Sequence, residues 1–303
     1  MTSPIRIGTR KSPLALWQAR QVQSHLSQIN IHSVLVEITS DGDANQRTPL
    51  YAMGITGVFT KSLDVALLEN RIDIAVHSMK DVPTVLCKGV KQAAVLKRGP
   101  AEDMLIAQNY RNWDDGAVVA TGSLRRSAQW KNRYPHHQIV ELRGNVQTRL
   151  DRLKSPETDG IILAAAGIER LGIKPPFSQK LHWMIPAPAQ GAIVVLCRAE
   201  DESLLESCQS FNHRPTQICT AVERQFLSTL EGGCTAPIGA FATVEESRIN
   251  FQGVLLSIDG KLKLTIDDSC SIDFADTFGK TCAEAILKKG GQELMTSIKA
   301  QMS

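Results

Sequence analysis

The sequence predicts an α/β protein of two lobes with a central cleft between them, plus a smaller C-terminal α+β domain. Three observations predict it. Strand and helix patterns alternate through 5–196, the order that builds parallel sheets. Gly99-Pro100 and Pro186-Ala-Pro188 interrupt the alternation, and the apolar run 192–196 after the second break reads as a strand returning to the first lobe. Beyond Asn212 the pattern becomes one helix, three strands and two helices. The 303 residues are also too many for one comfortable core.

The first element is a short strand at 5–8. Ser12-Pro13 starts a helix, because serine caps and proline is pre-set for the first helical position. Leu14, Trp17, Val22 and Leu26 form its apolar stripe, to about Ser27. Residues 33–39 alternate like a strand. Strand, helix, strand implies a parallel pair with a right-handed crossover. The polar, glycine-punctuated stretch 40–57 is long for a connection and reads equally as a lid over a site or a surface loop. Thr60 caps a helix over 61–69. Ile72, Ile74, Ala75 and Val76 form a buried strand of a parallel sheet, and Pro83 turns the chain away. A strand at 90–96 follows. The expected first domain is 1–97 with 190–210.

The second domain, 100–187, repeats the theme. Strands are expected at 104–107, 118–120, 139–140 and 161–163. Ser123 caps a helix to about Asn132, Asn145 caps one to Leu153, and a last helix ends near Arg170-Leu-Gly172. The third domain, 213–303, should hold a helix at 215–230 and antiparallel strands at 237–244, 248–257 and 261–266. Asp259-Gly260 is its hairpin turn.

A net charge of +3 is too small to argue for nucleic acid. No apolar run is long enough to span a bilayer, and the N-terminal residues lack an apolar signal core, so a cytoplasmic location is expected. The seven cysteines are scattered, with no C-x-x-C pair, which argues against a disulfide framework and against a metal knuckle.

Three stretches carry chemistry. In 72–83, His77, Ser78, Lys80 and Asp81 crowd in where the strand should end, the usual ligand edge of an open α/β sheet. Taken alone, the stretch reads slightly better as a solvated loop aspartate paired with Lys80. The second signal is arginine at helix starts: Arg10 before the Ser12 cap, Arg125 and Arg126 after Ser123, Arg143 and Arg149 around Asn145. Cations are mildly unfavourable there. One such helix means little; three favour an anion-lined cleft, since free N–H groups and guanidinium both donate to carboxylate or phosphate. Phosphate-loop glycine patterns are absent, so carboxylates are the expected anions. The third signal is Glu231-Gly-Gly-Cys234, a loop thiol suited to nucleophilic or attachment chemistry, although a structural cysteine in a tight turn is the commoner case. The histidines offer no obvious base.

Gly8-Thr-Arg10-Lys-Ser12-Pro, Ala75-Val-His-Ser-Met-Lys-Asp81-Val-Pro83, Gly122-Ser-Leu-Arg125-Arg126, Leu142-Arg143-Gly-Asn-Val-Gln-Thr-Arg149-Leu, Gln190-Gly-Ala and Leu230-Glu-Gly-Gly-Cys234 occur in that order. Together they resemble the porphobilinogen deaminase family, whose members are hydroxymethylbilane synthases. The resemblance implies two periplasmic-binding-protein-like lobes, a third domain and a dipyrromethane cofactor held by a thioether on Cys234. It implies addition of four porphobilinogens head to tail with loss of ammonia, then hydrolytic release of the linear tetrapyrrole. Asp81 matches the catalytic aspartate, which helps protonate the departing amine and stabilises the cationic intermediates. Lys80, Ser123, Arg125, Arg126 and Gln190 match cofactor-binding positions. Arg10, Ser12, Arg143, Arg149 and Arg170 match substrate-binding positions, and Phe59 covers a pyrrole ring from the lid. Each pyrrole carries an acetate and a propionate, which agrees with the arginines. The resemblance further implies porphobilinogen as partner, no nucleic acid or membrane, no metal, and a monomer. The lid departs from the family in carrying Thr56 for a lysine and Arg47 for an acidic residue. A two-lobed carboxylate-binding protein without catalysis, or a degenerate family member, are the alternatives.

Overall fold

The computed structural model describes residues 3–39, 60–230 and 236–302. Along the chain run β1 (Ile5–Thr9), α1 (Pro13–Gln28), β2 (Ser33–Glu37), α2 (Lys61–Leu68), β3 (Ile74–Ser78) and β4 (Val90–Val95). Next come β5 (Asp103–Ala107), β6 (Val118–Ala120), α3 (Leu124–Arg133), β7 (Gln138–Val140), α4 (Val146–Asp151), β8 (Gly160–Ala164), α5 (Ala165–Arg170) and β9 (Phe177–Lys180). The chain continues through β10 (Ile193–Arg198), α6 (Glu202–Gln209), α7 (Arg214–Thr229), β11 (Ile238–Glu245), β12 (Arg248–Leu256), β13 (Lys263–Ser271), α8 (Ala275–Ile286) and α9 (Gln292–Met302). These elements fall into two compact units. The first holds described residues of 3–39, 60–99 and 191–217, the second those of 100–190, 218–230 and 236–302.

The first unit is built on a five-stranded sheet in the order β2-β1-β3-β10-β4. β1 runs parallel to β2 and β3, as the strand–helix–strand pattern predicts. The returning strand does enter this sheet, between β3 and β4, but antiparallel to both. The sheet is therefore mixed, not parallel. The Met79 amide donates to the Ala192 carbonyl, so β10 begins beside the end of β3 and runs back along it. β3 also starts two residues later than the sequence predicts and continues through His77 and Ser78. Asp73 is instead taken up by Arg6, through its backbone amide and its side chain, and by Arg198. Arg198 further donates to the carbonyls of Leu67 and Ile72. Ile7, Val22, Leu26, Ile74, Val195 and Cys197 form the centre of the core.

The second unit holds two sheets. One has the order β7-β6-β8-β5-β9, with β6 parallel to β7 and β8, and β5 antiparallel to β8 and β9. The other is the antiparallel β11-β12-β13 sheet, which packs with α7, α8 and α9 around Phe226, Phe251 and Phe278. The segment before β10 ties the two together. Pro186 accepts from the Ala240 amide, and Ile185 exchanges two hydrogen bonds with the Gln129 side chain.

β9 and α6 were not expected from the sequence. β9 (Phe-Ser-Gln-Lys) is an edge strand with no apolar alternation, and α6 buries only Leu204 and Cys208. β13 reaches Ser271, five residues past the predicted end, through the polar run Asp267-Asp268-Ser269 on the sheet edge. Thr60 precedes α2 without a side-chain capping bond.

Candidate functional site

In the first unit, β1 and β3 run parallel with Ile7 beside Ile74 and Gly8 beside Ala75, so Arg10 and the residues after Ser78 leave the same sheet edge. The Ser12 hydroxyl accepts from the Ala15 amide (3.2 Å) and caps α1. Gln18 of α1 donates to the Ser78 hydroxyl (2.8 Å), fastening the helix to the end of β3. Met79, Lys80 and Asp81 then form one short 3₁₀ turn. Met79 is buried and hydrogen-bonded to β10's approach, so the turn has a fixed base. Lys80 and Asp81 are half-buried. The Asp81 carboxylate has no hydrogen-bond or ion-pair partner among the described residues, Lys80 included. The solvated Lys80–Asp81 pair that the stretch alone favours is not formed. His77, one residue before the strand ends, is buried with its Nε2 lacking a hydrogen-bond partner. Burial first, and the nearby Arg10 second, push its pKa down to about 4.

In the second unit the ends of β6, β7 and β8 share one edge, because the three strands are parallel. Each leads into a helix carrying predicted residues. The Ser123 hydroxyl accepts from the Arg126 amide (3.5 Å) and caps α3. Asn145 Oδ1 accepts from the Thr148 amide (3.0 Å) and caps α4. Gly122 has to be glycine, since a Cβ there would run into the Leu142 carbonyl oxygen. Arg143 lies within 4.0 Å of Glu141, and Arg149 Nε donates to the Gly144 carbonyl (2.8 Å). Arg170 ends α5, and burial pushes its pKa down to about 10.

For α3 the cation-at-a-helix-start reading needs correcting. Arg125 and Arg126 are buried, and the anion they meet first is the protein's own Asp103, fully buried at the start of β5. Arg125 reaches Asp103 through both terminal nitrogens (2.6 and 3.2 Å) and Arg126 through Nε (2.8 Å). Gln190 donates to the same carboxylate (2.9 Å) and to the Ala101 carbonyl (2.7 Å), while its own oxygen accepts from Arg126 (3.4 Å). Despite burial, these cations hold the Asp103 carboxyl well below the usual carboxylate range. Arg125 Nε is buried with no hydrogen-bond partner.

The structure thus gathers Arg125, Arg126 and Gln190 on one carboxylate, and Arg10 and Asp81 on one sheet edge. Cys234, Phe59, Thr56 and Arg47 lie outside the described residues. Leu230 and Ala236, the described residues on either side of 231–235, are buried in the core of α7 and the three-stranded sheet. Asp103 was missed in the sequence, where it stands alone at a strand start. A depression lined by Glu37, Thr39, Lys61 and Arg71 in the first unit contains none of the predicted site residues. Among the described residues no helix is long and apolar enough to cross a membrane.

Residues 5–206 match the family model described as porphobilinogen deaminase, dipyromethane cofactor binding domain, and residues 217–288 match its C-terminal domain. The porphobilinogen deaminase of Syntrophomonas wolfei is 40% identical over 299 residues, covering 96% of this chain and 97% of that protein. That of Chromobacterium violaceum is 39% identical over 305 residues, covering 98% of each. Among solved structures, an ancestral cationic amino acid solute-binding protein aligns with a TM-score of 0.44 at 13% identity, over 69% of this chain and 87% of that one.

Proposed function

The chain belongs to the porphobilinogen deaminase family, and on that premise we propose that Asp81 is the catalytic carboxylate of a hydroxymethylbilane synthase. The enzyme is a transferase that joins porphobilinogen units head to tail on a dipyrromethane cofactor. When bound, that cofactor supplies the free pyrrole carbon to which the first unit is added. Each condensation forms one carbon–carbon bond, breaks the bond from the aminomethyl carbon to nitrogen, and releases ammonia. A proton leaves the attacking pyrrole carbon, so the step is balanced.

Positive charge develops on the ring as the amine departs. One observation carries the reading: Asp81 is a half-buried carboxylate with no partner among the described residues, on a turn anchored by Met79. A fixed anion beside a developing cation works as an oxyanion hole does with the signs reversed. In its protonated form the same group can deliver a proton to the leaving amine, and the carboxylate so formed can receive the ring proton afterwards.

We assign Cys234 as the thioether carrier, and Lys80, Ser123, Arg125, Arg126 and Gln190 as residues that hold the cofactor. Arg10, Ser12, Arg143, Arg149 and Arg170 take the substrate's carboxylates, and Phe59 covers a ring. A polycarboxylate suits this set of donors, and the buried, unpartnered Nε of Arg125 is a donor awaiting an acceptor. The reading includes a monomeric enzyme acting in the cytoplasm with no nucleic-acid or membrane partner.

Intact-mass measurement tests the assignment. Wild-type protein incubated with porphobilinogen should carry a dipyrromethane adduct, and Cys234→Ser should carry none. Asp81→Asn should keep the wild-type thermal midpoint and lose about 100-fold or more in kcat. Wild-type turnover in Asp81→Asn would remove Asp81 from the mechanism, and an adduct surviving in Cys234→Ser would move the attachment elsewhere.

A further inference from the structure

We propose that Asp103 is a positioning residue, which holds Arg125 and Arg126 in the orientation that receives the cofactor's carboxylates. The inference rests on the function proposed above. Asp103 opens β5 opposite Ala164, the last residue of β8, so it lies at the edge where α3 and α5 begin. It accepts four hydrogen bonds from three side chains that stand 22, 23 and 87 residues from it in the chain.

The way those bonds divide the two guanidinium groups is informative. A guanidinium offers five N–H donors in a rigid fork. Asp103 occupies the terminal fork of Arg125, and the Ile185 carbonyl takes a second hydrogen from its Nη1 (2.9 Å). Arg126 is held at Nε by Asp103, at Nη1 by the Ile162 carbonyl (3.0 Å) and at Nη2 by Gln190. Both planes are therefore held at three N–H groups each. Among the donors these bonds leave, Arg125 Nε is buried and unpartnered. Buried donors are nearly always satisfied, so a cluster built only for packing would not leave this one open. One carboxylate against two guanidinium groups also leaves the pair with one net positive charge, next to a helix start. An anion is the acceptor that matches the charge at that donor.

The proposal separates orientation from charge. Asp103→Asn makes the pair more positive, so charge alone would tighten binding of an anion. Orientation predicts the opposite, because the asparagine amide presents N–H groups to two donors and frees both planes to rotate.

The experiment compares wild type, Asp103→Asn and Asp103→Glu. Adduct occupancy is read by intact mass after incubation of the apoprotein with porphobilinogen, together with KM, kcat and thermal midpoint. Asp103→Asn is expected to load at least tenfold more slowly and to show a KM at least tenfold higher, with a smaller fall in kcat. Asp103→Glu, which keeps the charge on a longer arm, should recover part of both. Should the asparagine variant fail to fold, Asp103→Glu decides alone: a raised KM with near wild-type kcat supports the proposal, and unchanged loading and KM overturn it. Wild-type loading and KM in Asp103→Asn overturn it, as does an equal defect in both variants that tracks only the fall in thermal midpoint. A wild-type protein that neither loads nor turns over would instead sink the functional reading itself.

Discussion

His77 should make the fold sensitive to mild acid. Burial keeps its imidazole neutral in the native state, with a pKa of about 4 against the ordinary 6.5. The unfolded chain takes up that proton below about pH 6.5, while the folded chain resists until about pH 4. The stabilisation is therefore complete above pH 6.5 and is lost as pH falls through that window, up to ~3 kcal/mol in all. Urea midpoints measured from pH 7.5 to 4 should show this slope, and His77→Gln should flatten it. An equally steep slope in the variant would assign the acid sensitivity to other groups. Single residues differ sharply in how legible they are. Asp81 stands out in the sequence because a buried strand runs straight into it, although that stretch alone favours a solvated pair with Lys80 and its catalytic role comes from the family resemblance. Asp103 cannot, because its partners stand 22, 23 and 87 residues away and only the folded sheet brings them together. For the same reason the arginines of α3 announce an anion in the sequence without revealing that the first anion is internal.

At the scale of elements, the helix starts were readable because capping is local chemistry. Ser12, Ser123 and Asn145 each accept from an amide three residues on, as predicted. The ends and the minor elements were less readable, because tertiary contacts set them. β3 loses its first two predicted residues once Arg6 and Arg198 engage Asp73, and β9 owes its existence to pairing with β5. α4 gives a test of how much a local cap matters to the site. It spans six residues and buries none of them fully; only Val146 and Leu150 pack against the core, so little else can stand in for its cap. Asn145→Ala should cost about 1 kcal/mol of stability. It should raise the KM for porphobilinogen more than it lowers kcat, because Arg149 rides on that turn. Asn145→Asp, which can still cap, should restore both. A KM unchanged in Asn145→Ala would separate Arg149 from substrate binding.

On the scale of the whole molecule, the returning strand was legible from the second proline break and the apolar run behind it. That 236–302 share one compact unit with 100–190 was not, since the join consists of single residues with no pattern. Ala128 on α3 packs against Val254 and Leu256 of β12, and Asn132 donates to the Gly260 carbonyl at the hairpin tip. Glu223 of α7, fully buried, accepts from the amides of Ala189 and Ala242 (2.6 and 2.8 Å). Ala189 is held at φ 61°, a conformation a non-glycine residue adopts only where its surroundings insist. It directly precedes Gln190, so the C-terminal domain braces the strand approach on which the Asp103 cluster depends. Two consequences follow for cooperativity. In hydrogen exchange of the wild type, the slowest amides of β5, β6, β8 and of β11, β12 should open together, at one free energy and with one denaturant dependence. Ala128→Glu would bury an unpaired carboxylate in that join, at a cost of about 3–5 kcal/mol. It should split the behaviour, with β11 and β12 opening apart from β5, β6 and β8, and it should weaken cofactor loading although Ala128 belongs to no binding group. Independent opening of the two sheets in the wild type would mean that the join is mere contact, and that the arginine cluster stands without support from the C-terminal domain.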